Sequence, residues 1–148
     1  MNLKRVLGID FGERRIGLAL SDPSGIIAQP FMTFDTREDG DIFRKIEELI
    51  EEQNVERIVL GMPRNMDGSI GEKGQAVLEF SNLLSSRLKL PVILWDERLS
   101  SVESLKFLRY AGAKLHKHKK AVDRISAALI LQGYLDSQKR KKDEEPES

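Results

Sequence analysis

The sequence contains no cysteine and no long hydrophobic run, and each absence excludes a class of protein. Without cysteine the chain cannot form disulfide bonds, thiolate metal sites or a cysteine nucleophile. No apolar stretch approaches the roughly 20 residues that a membrane-spanning helix needs. The N-terminus also lacks the apolar segment and cleavage site of a signal peptide. We therefore expect a soluble cytoplasmic protein that has no membrane partner.

An excess of charge of one sign is also missing, because 24 basic residues balance 24 acidic ones. Many nucleic-acid-binding domains are basic, so the total does not favour such a function. The distribution does, since basic side chains are concentrated between Arg109 and Arg124, together with His116 and His118. Acidic side chains collect instead in Glu47–Glu52 and Asp143–Glu147.

The length of 148 residues and the hydrophobic fraction of 40% fit one domain with its own core. We assign residues 1–138 to this domain. Residues 139–148 contain no apolar side chain, and we expect them to form a disordered, charged C-terminal tail.

Hydrophobic periodicity predicts the element order β-β-β-α-β-α-β-α-α. The first three strands have short connections and should be antiparallel, and Pro30 places the third, Ile26 to Phe34, at an edge. The later strands, Arg57–Gly61 and Pro91–Trp95, alternate with helices and should be parallel. These features predict an α/β fold with a mixed five-stranded sheet, three antiparallel strands then parallel strands, and helices on both faces.

Three further local patterns bear on this fold. Ser69–Glu72 and Ser100–Glu103 match capping boxes that open the second and third helices. The uninterrupted apolar run Pro91–Trp95 predicts a strand covered on both faces. The last helix is expected from Ala121 to about Gln138.

Acidic side chains occur at places where apolar residues would be expected. Asp10 ends the first strand, Asp96 and Glu97 end the last strand, and Asp123 lies in a very apolar helix. Parallel strands deliver their final residues to one edge of the sheet, where α/β proteins bind ligands. The strand alternation places Asp96 and Glu97 on opposite faces, and the residues alone do not choose between them.

Such a carboxylate cluster indicates a metal site. Two carboxylates 4 Å apart repel by roughly 4 kcal/mol at an effective dielectric constant of 20. Mg²⁺ or Mn²⁺, which take oxygen ligands, would remove this cost, and a pair of such ions can assist phosphodiester hydrolysis. A structural alternative stays open, because Asp10 could cap a turn and Asp123 could pair with Arg124, Lys119 or another base.

Four motifs then occur in order along the chain: Gly8–Ala19; Gly61-Met62-Pro63 with Met66-Asp67-Gly68-Ser69; Asp96–Ser101; and Lys120–Ala128. Together they resemble the YqgF/RuvX family, a bacterial family of ribonuclease H-like nucleases. The resemblance extends from Arg5 to Asp136. It implies a ribonuclease H-like fold, a role in maturing the 5′ end of 16S ribosomal RNA and a relation to Holliday junction resolution.

The resemblance also implies which acids hold the metal. The family's site acids match Asp10, Glu97 and Asp123 here, so it favours Glu97 over Asp96 as a catalytic and metal-binding residue. The chain departs from RuvC-type junction resolvases, which carry a second acid one helical turn before the last one. Lys120 stands at that position, and the missing acid argues against junction resolution.

Basic and polar side chains near this edge are candidate substrate contacts. Arg64 and Ser69 belong to a loop that follows a strand at the same edge, although Ser69 is also a candidate helix cap. Arg98 follows Glu97 and either pairs with an acid or contacts phosphate. The basic segment before Asp123 would hold a phosphate backbone through three lysines: Lys117, Lys119 and Lys120.

These observations favour a metal-dependent endonuclease that acts on precursor ribosomal RNA and works as a monomer. A dimer and a DNA junction substrate stay open. A second alternative is a catalytically weak RNA-binding or transcription-associated factor. A third is an actin-like ATPase or sugar kinase, whose phosphate loop resembles Gly8–Gly12, but those proteins need two such domains.

Overall fold

The computed structural model describes residues 4–99, 104, 106, 110 and 118–144. Five strands and three long helices make up this part of the chain, and a 3-10 turn, Glu97–Leu99, follows the last strand. The elements are β1 (Arg5–Phe11), β2 (Arg15–Ser21), β3 (Ala28–Asp35), α1 (Ile42–Gln53), β4 (Val55–Met62), α2 (Glu72–Arg87), β5 (Val92–Asp96) and α3 (Lys119–Glu144).

The five strands form one mixed sheet in the order β3-β2-β1-β4-β5. Strand β2 pairs antiparallel with β1 and β3, whereas β1, β4 and β5 are parallel. Strand β3, which contains Pro30, lies at one edge, as predicted. The carboxyl ends of β1, β4 and β5 therefore meet at one edge of the sheet. This is the arrangement that the sequence analysis predicted for the strands that end at Asp10 and at Asp96 and Glu97.

Helices cover both faces of the sheet. Helices α1 and α2 pack on one face over large side chains such as Leu7 and Leu18, and α3 packs on the other face over Val6, Ala19 and Val59. The predicted fold class is confirmed.

Strand β5 differs from the prediction that both of its faces are covered. It lies at the second edge of the sheet, where an outer strand has a neighbour on one side only. Ile93 and Trp95 pack against the α3 cluster, but Leu94, on the opposite face, is 38% exposed. The apolar run is therefore only partly buried.

The capping box predicted at Ser69 is wrong. Helix α2 begins at Glu72 with Gly71 as its N-cap and has no side-chain cap. Ser69 is held instead by Asp67, which accepts hydrogen bonds from its backbone N–H (2.9 Å) and its hydroxyl (2.6 Å). These bonds lower the pKa of the Asp67 carboxyl. The Ser69 hydroxyl is therefore engaged in the local turn with Asp67 and does not cap the helix.

The last helix is longer than predicted. It begins at Lys119 and continues to Glu144, so residues 139–144 of the expected tail are helical. Lysine and arginine are good helix formers, and Lys141 and Lys142 lie in the last turn, where positive charge stabilises the helix dipole.

Other predictions fall on residues outside the described part. They include the capping box Ser100–Glu103, most of the helix up to Tyr110, and the basic segment through Lys117; Ser104, Lys106 and Tyr110 are individually helical. Across the described residues, no helix has both the length and the apolar character needed to cross a membrane.

Candidate active site

Asp10 lies near the end of β1 on the face that α3 covers. Leu7 and Ile9 are buried in the core against α1 and α2. A Cβ added at Gly8 would instead lie 2.7 Å from Cβ of Leu131 in α3. Because alternate strand residues share a face, Asp10 is on the α3 side, and it lines a cleft beside that helix.

Gly17 brings Asp123 close to Asp10. Gly17 is the residue directly opposite Asp10 across β1 and β2. A Cβ on Gly17 would overlap the carbonyl oxygen of Asp123 and lie 3.0 Å from the Asp123 Cβ. Only glycine allows α3 to approach β2 so closely at this point, and the approach places Asp123 one strand away from Asp10.

Glu97 comes to the same face from the other side. It is the first residue of the turn after β5 and is only 7% exposed. Its Oε1 lies 3.1 Å from the position that a Cβ on Gly61 would take. Ile9 pairs with Leu60 across the parallel strands, so Asp10 and Gly61 follow next along neighbouring strands. Glu97 therefore lies over the strand adjacent to that of Asp10.

The two neighbouring acids Asp96 and Glu97 have different surroundings. Asp96 accepts hydrogen bonds from the Arg98 backbone N–H (2.9 Å) and from Arg98 Nη2 (2.7 Å), and Arg64 Nε lies 3.9 Å from its Oδ2. The Arg98 hydrogen bonds, more than the charges of Arg98 and Arg64, lower the pKa of the Asp96 carboxyl. Asp96 is thus part of an arginine cluster, while Glu97 is directed to the face of Asp10.

Asp123 forms an ion pair that the sequence analysis did not identify. Nε of Arg15 donates to Oδ2 of Asp123 over 2.7 Å. Arg15 begins β2 and shares the α3 face with Gly17 and Ala19. The alternation of strand residues could have placed Arg15 on this face. It could not have identified Asp123 as its partner, because the two residues are 108 positions apart in sequence. Arg15 is thus the other base that the structural alternative left open beside Arg124 and Lys119.

The donor chemistry of this face fits a hard divalent cation, since Asp10, Glu97 and Asp123 offer only carboxylate oxygens. Their present arrangement is not a finished metal site. In the described part of the chain, no three carboxylate or imidazole side chains are grouped so that they could hold an ion.

A cleft of about 320 Å³ opens beside Asp10 and Asp123, and Glu97 is not among the residues that line it. Three of the side chains around it are cationic, but Arg14 pairs with Asp35 at 3.1 Å. Lys73, in the first turn of α2, gave no signal in the sequence. The cleft is lined by Asp10, Phe11, Gly12, Glu13, Arg14, Arg15, Lys73, Val122, Asp123 and Ser126.

Two predicted substrate contacts, Arg64 and Ser69, belong to the loop after β4, and a third, Arg98, donates hydrogen bonds to that loop. Arg98 Nη1 donates to the Asn65 carbonyl (3.3 Å), and Arg64 Nη1 donates to the Gly68 carbonyl (3.0 Å). Asn65 Nδ2 donates to the hydroxyl of Ser69 (2.9 Å). Arg98 also pairs with Asp96, which is one of the two roles predicted for it. These hydrogen bonds connect the loop to Arg98 and close it on itself, at the edge where the acids lie.

Lys119 and Lys120 lie on the first turn of α3. Lys120 Nζ lies 3.8 Å from Oε2 of Glu38, so this side chain is directed toward the connection between β3 and α1. Lys119 is half-buried, and Lys117 is outside the described residues. Neither Lys119 nor Lys120 lines the cleft.

The sheet order and the helix across its face define a ribonuclease H-like domain. Thermus thermophilus RuvC in complex with a Holliday junction substrate superposes with a TM-score of 0.55 at 13% identity, covering 92% of this chain and 96% of that chain. The Fowlpox virus resolvase, solved with Holliday junction DNA, gives 0.53 at 12% identity, covering 90% and 98%. At these identities the likeness establishes the fold.

The chain belongs to the RuvX family, described as Holliday junction resolvase, whose sequence model matches residues 4–137. A protein of Acetivibrio thermocellus named "Putative pre-16S rRNA nuclease" is 47% identical over 135 residues, which is 90% of this chain and 96% of that protein. A protein of the same name from Bacillus subtilis strain 168 is 42% identical over 135 residues, covering 90% and 98%. The predicted family is confirmed, and the ATPase or kinase alternative is set aside.

Proposed function

We propose that this protein is a metal-dependent nuclease that hydrolyses phosphodiester bonds with Asp10, Glu97 and Asp123 as its metal-binding residues. One observation carries the proposal. Three acids far apart in sequence lie on one face of the sheet, at the carboxyl ends of parallel strands or on the helix above them. Gly17 and Gly61 make room for this approach.

The residues of the chain divide the work between them. Asp10, Glu97 and Asp123 would hold Mg²⁺ or Mn²⁺, which when bound supplies Lewis-acid activation of the phosphate and of the attacking water. Arg15 and Lys73 line the cleft beside the acids. Their positive charges would orient a phosphodiester there and offset its negative charge.

The substrate that we favour is precursor 16S ribosomal RNA, because relatives with 42–47% identity are named "Putative pre-16S rRNA nuclease". Phosphate contacts hold a nucleic acid without reading its sequence. The candidates for such contacts beyond the cleft are Arg64, Ser69, Arg98, Lys117, Lys119 and Lys120. The description of the family favours a four-way DNA junction as the alternative substrate.

Cleavage assays on both nucleic acids test this proposal. Precursor 16S RNA and a four-way DNA junction are incubated with Mg²⁺ or Mn²⁺ and the parent protein, Asp10→Asn or Glu51→Gln. We expect Asp10→Asn to cleave RNA roughly 100-fold more slowly, which corresponds to a loss of about 2.7 kcal/mol of transition-state stabilisation with the metal ligand. Glu51 is exposed on α1, across the sheet, and its variant should match the parent.

Three results would change the conclusion. Parent-like cleavage by Asp10→Asn contradicts the assigned site. Faster cleavage of the junction than of the RNA favours the DNA alternative. RNA affinity that survives loss of the acids, without turnover under either metal, favours an RNA-binding factor.

The neighbours Asp96 and Glu97 provide a matched pair for the metal assignment. Glu97→Gln should bind Mn²⁺ at least tenfold more weakly in calorimetry, because it loses a charged oxygen ligand on the site face. Asp96→Asn removes the same charge one residue earlier but on the arginine-bound side, so its Mn²⁺ affinity should stay close to that of the parent. The reverse order would assign the ligand to Asp96.

A further inference from the structure

The ion pair between Arg15 and Asp123 lies at the centre of the proposed site. Nε of Arg15 is 2.7 Å from Oδ2 of Asp123, and the two side chains are 29% and 19% exposed. Such a partly shielded pair is held more firmly than a surface pair, because solvent screens it less. It fixes one oxygen of a carboxylate that the proposed function assigns to a cation.

Arg15 also faces the space where a substrate phosphate would lie. It lines the cleft together with Asp10 and Lys73. Within the described part of the chain, the Arg15 side chain donates one hydrogen bond, from Nε to Asp123. Its Nη1 and Nη2 groups remain for another acceptor. A guanidinium presents its donors as a planar fork that matches phosphate oxygens.

Arg15 and a divalent cation therefore compete for Asp123. Arg15 holds Oδ2 of Asp123, so a cation that binds Oδ2 displaces the guanidinium, and a cation that binds Oδ1 weakens the attraction of the same carboxylate for Arg15. The displaced guanidinium would lie beside a cleft suited to a phosphodiester. One residue is thus positioned to exchange an acid for a phosphate.

We propose that Arg15 holds the Asp123 carboxylate in the metal-free protein and transfers to a substrate phosphate when a divalent cation binds Asp123. This inference rests on the proposed nuclease function and deepens it. Since binding free energies are reciprocal, cation and nucleic acid should strengthen each other's binding through this exchange. Arg15 is then a positioning residue that couples the two binding events.

Metal binding without nucleic acid tests the first half of the exchange. Mn²⁺ affinity is measured by calorimetry for the parent, Arg15→Gln and Arg14→Gln. Arg14 is the matched control, because it lines the same cleft but pairs with Asp35. Arg15→Gln should bind Mn²⁺ roughly fivefold more tightly than Arg14→Gln, as expected for the loss of a partly buried charged hydrogen bond.

Arg15→Lys keeps the charge without the guanidinium fork, so its Mn²⁺ affinity should fall between those of the parent and Arg15→Gln. This variant also provides the test if Arg15→Gln folds poorly. Equal Mn²⁺ affinities for the Arg14 and Arg15 variants would overturn the exchange while leaving the metal site intact. Absence of Mn²⁺ binding in all proteins would overturn the metal site and the exchange together.

RNA binding in EDTA tests the second half and requires neither metal nor cleavage. Asp123→Asn removes one negative charge and weakens the hold on Arg15, since only a neutral amide oxygen remains to accept from it, whereas Asp10→Asn removes a charge from the same cleft and leaves the Arg15–Asp123 pair in place. We expect a fragment of precursor 16S RNA to bind Asp123→Asn roughly fivefold more tightly than Asp10→Asn in fluorescence anisotropy. This excess should disappear when Arg15→Gln is added to both variants. If the excess is absent, or persists without Arg15, the transfer to phosphate is wrong.

Discussion

The two faces of the sheet are built from the same strands but from different residues. The face toward α1 and α2 carries large side chains, among them Leu7, Ile9 and Leu18, each 0% exposed. The face toward α3 carries small residues, such as Gly8, Gly17 and Ala19, at the alternating positions. One face thus fills a core, whereas the other lets a helix come close.

This difference shows how the fold separates stability from the site. Large apolar side chains bury area and contribute most of the folding free energy. Glycines contribute little, but they set the distance at which α3 crosses the strands, and that distance places Asp123 near Asp10 and Ile130 near Gly61. Substitutions on the two faces should therefore have different consequences.

The largest loss of stability is expected on the α1–α2 face. Ile9→Ala removes a fully buried side chain and should lower the free energy of unfolding by about 3–4 kcal/mol in urea titration. At a temperature where the variant is folded, its Mn²⁺ affinity should stay within twofold of the parent, because Asp10 points the other way. A tenfold loss of Mn²⁺ affinity in folded Ile9→Ala would show that the two faces are not separable.

A smaller loss of stability with a greater effect on the site is expected for Gly17→Ala. The added methyl group would overlap the Asp123 backbone, so α3 must shift, at a cost of about 3 kcal/mol. The shift moves Asp123 relative to Asp10, and Mn²⁺ binding should weaken at least tenfold in calorimetry. Gly8→Ala is the control, because its methyl group meets Cβ of Leu131 at 2.7 Å and the carbonyl oxygen of Ala127 at 3.2 Å, one to two turns further along α3. If Gly17→Ala keeps the parent's Mn²⁺ affinity, the distance between α3 and β2 does not determine the geometry of the metal site.

Gly61→Ala should have a milder effect of the same kind. Its methyl group would meet Cδ1 of Ile130 at 2.7 Å and Oε1 of Glu97 at 3.1 Å. Both are ends of flexible side chains that can move, so we expect a loss of about 1 kcal/mol in urea unfolding. Displacement of Glu97 should slow RNA cleavage several-fold. A variant that is destabilised but cleaves at the parent rate would argue against a role for Glu97.

The sequence predicted the architecture of the sheet better than it predicted the contacts across its faces. The mixed sheet of three antiparallel and then parallel strands, the edge position of β3 and the helices on both faces are confirmed, because hydrophobic alternation and short connections record them locally. Ala127, Ile130 and Tyr134 are buried, and helical periodicity places them on the same side of α3 as Asp123.

Contacts that depend on tertiary register were not predictable in the same way. The partner of Asp123 is Arg15, at the start of β2, and only the close crossing at Gly17 brings the two elements together. Ser69 was expected to cap α2, but the competing turn at Asp67 takes up its backbone N–H and hydroxyl. The assignment of Asp10, Glu97 and Asp123 as metal ligands stays a prediction.

The smallest expected effect concerns an acid outside both faces. Asp22, in the turn between β2 and β3, accepts hydrogen bonds from the backbone N–H groups of Ile26 (2.8 Å) and Ile27 (2.7 Å) and from the hydroxyl of Ser24. The hydrogen bond from Ile27, then that from Ser24, lower the pKa of the Asp22 carboxyl from 3.8 to about 2.

Because this pKa is lower in the folded state, the Asp22 carboxylate stabilises the fold above about pH 4, and the contribution is lost as the pH falls through 2. Asp22→Asn should therefore be less stable than the parent at pH 6, by less than about 1 kcal/mol given the exposure of the turn. In urea titrations between pH 6 and pH 2, the difference between the two proteins should shrink steadily. A difference independent of pH would mean that the asparagine disturbs the turn by its shape rather than by its charge. Unchanged Mn²⁺ affinity would mark Asp22 as an acid that serves the backbone, in contrast to the acids on the α3 face.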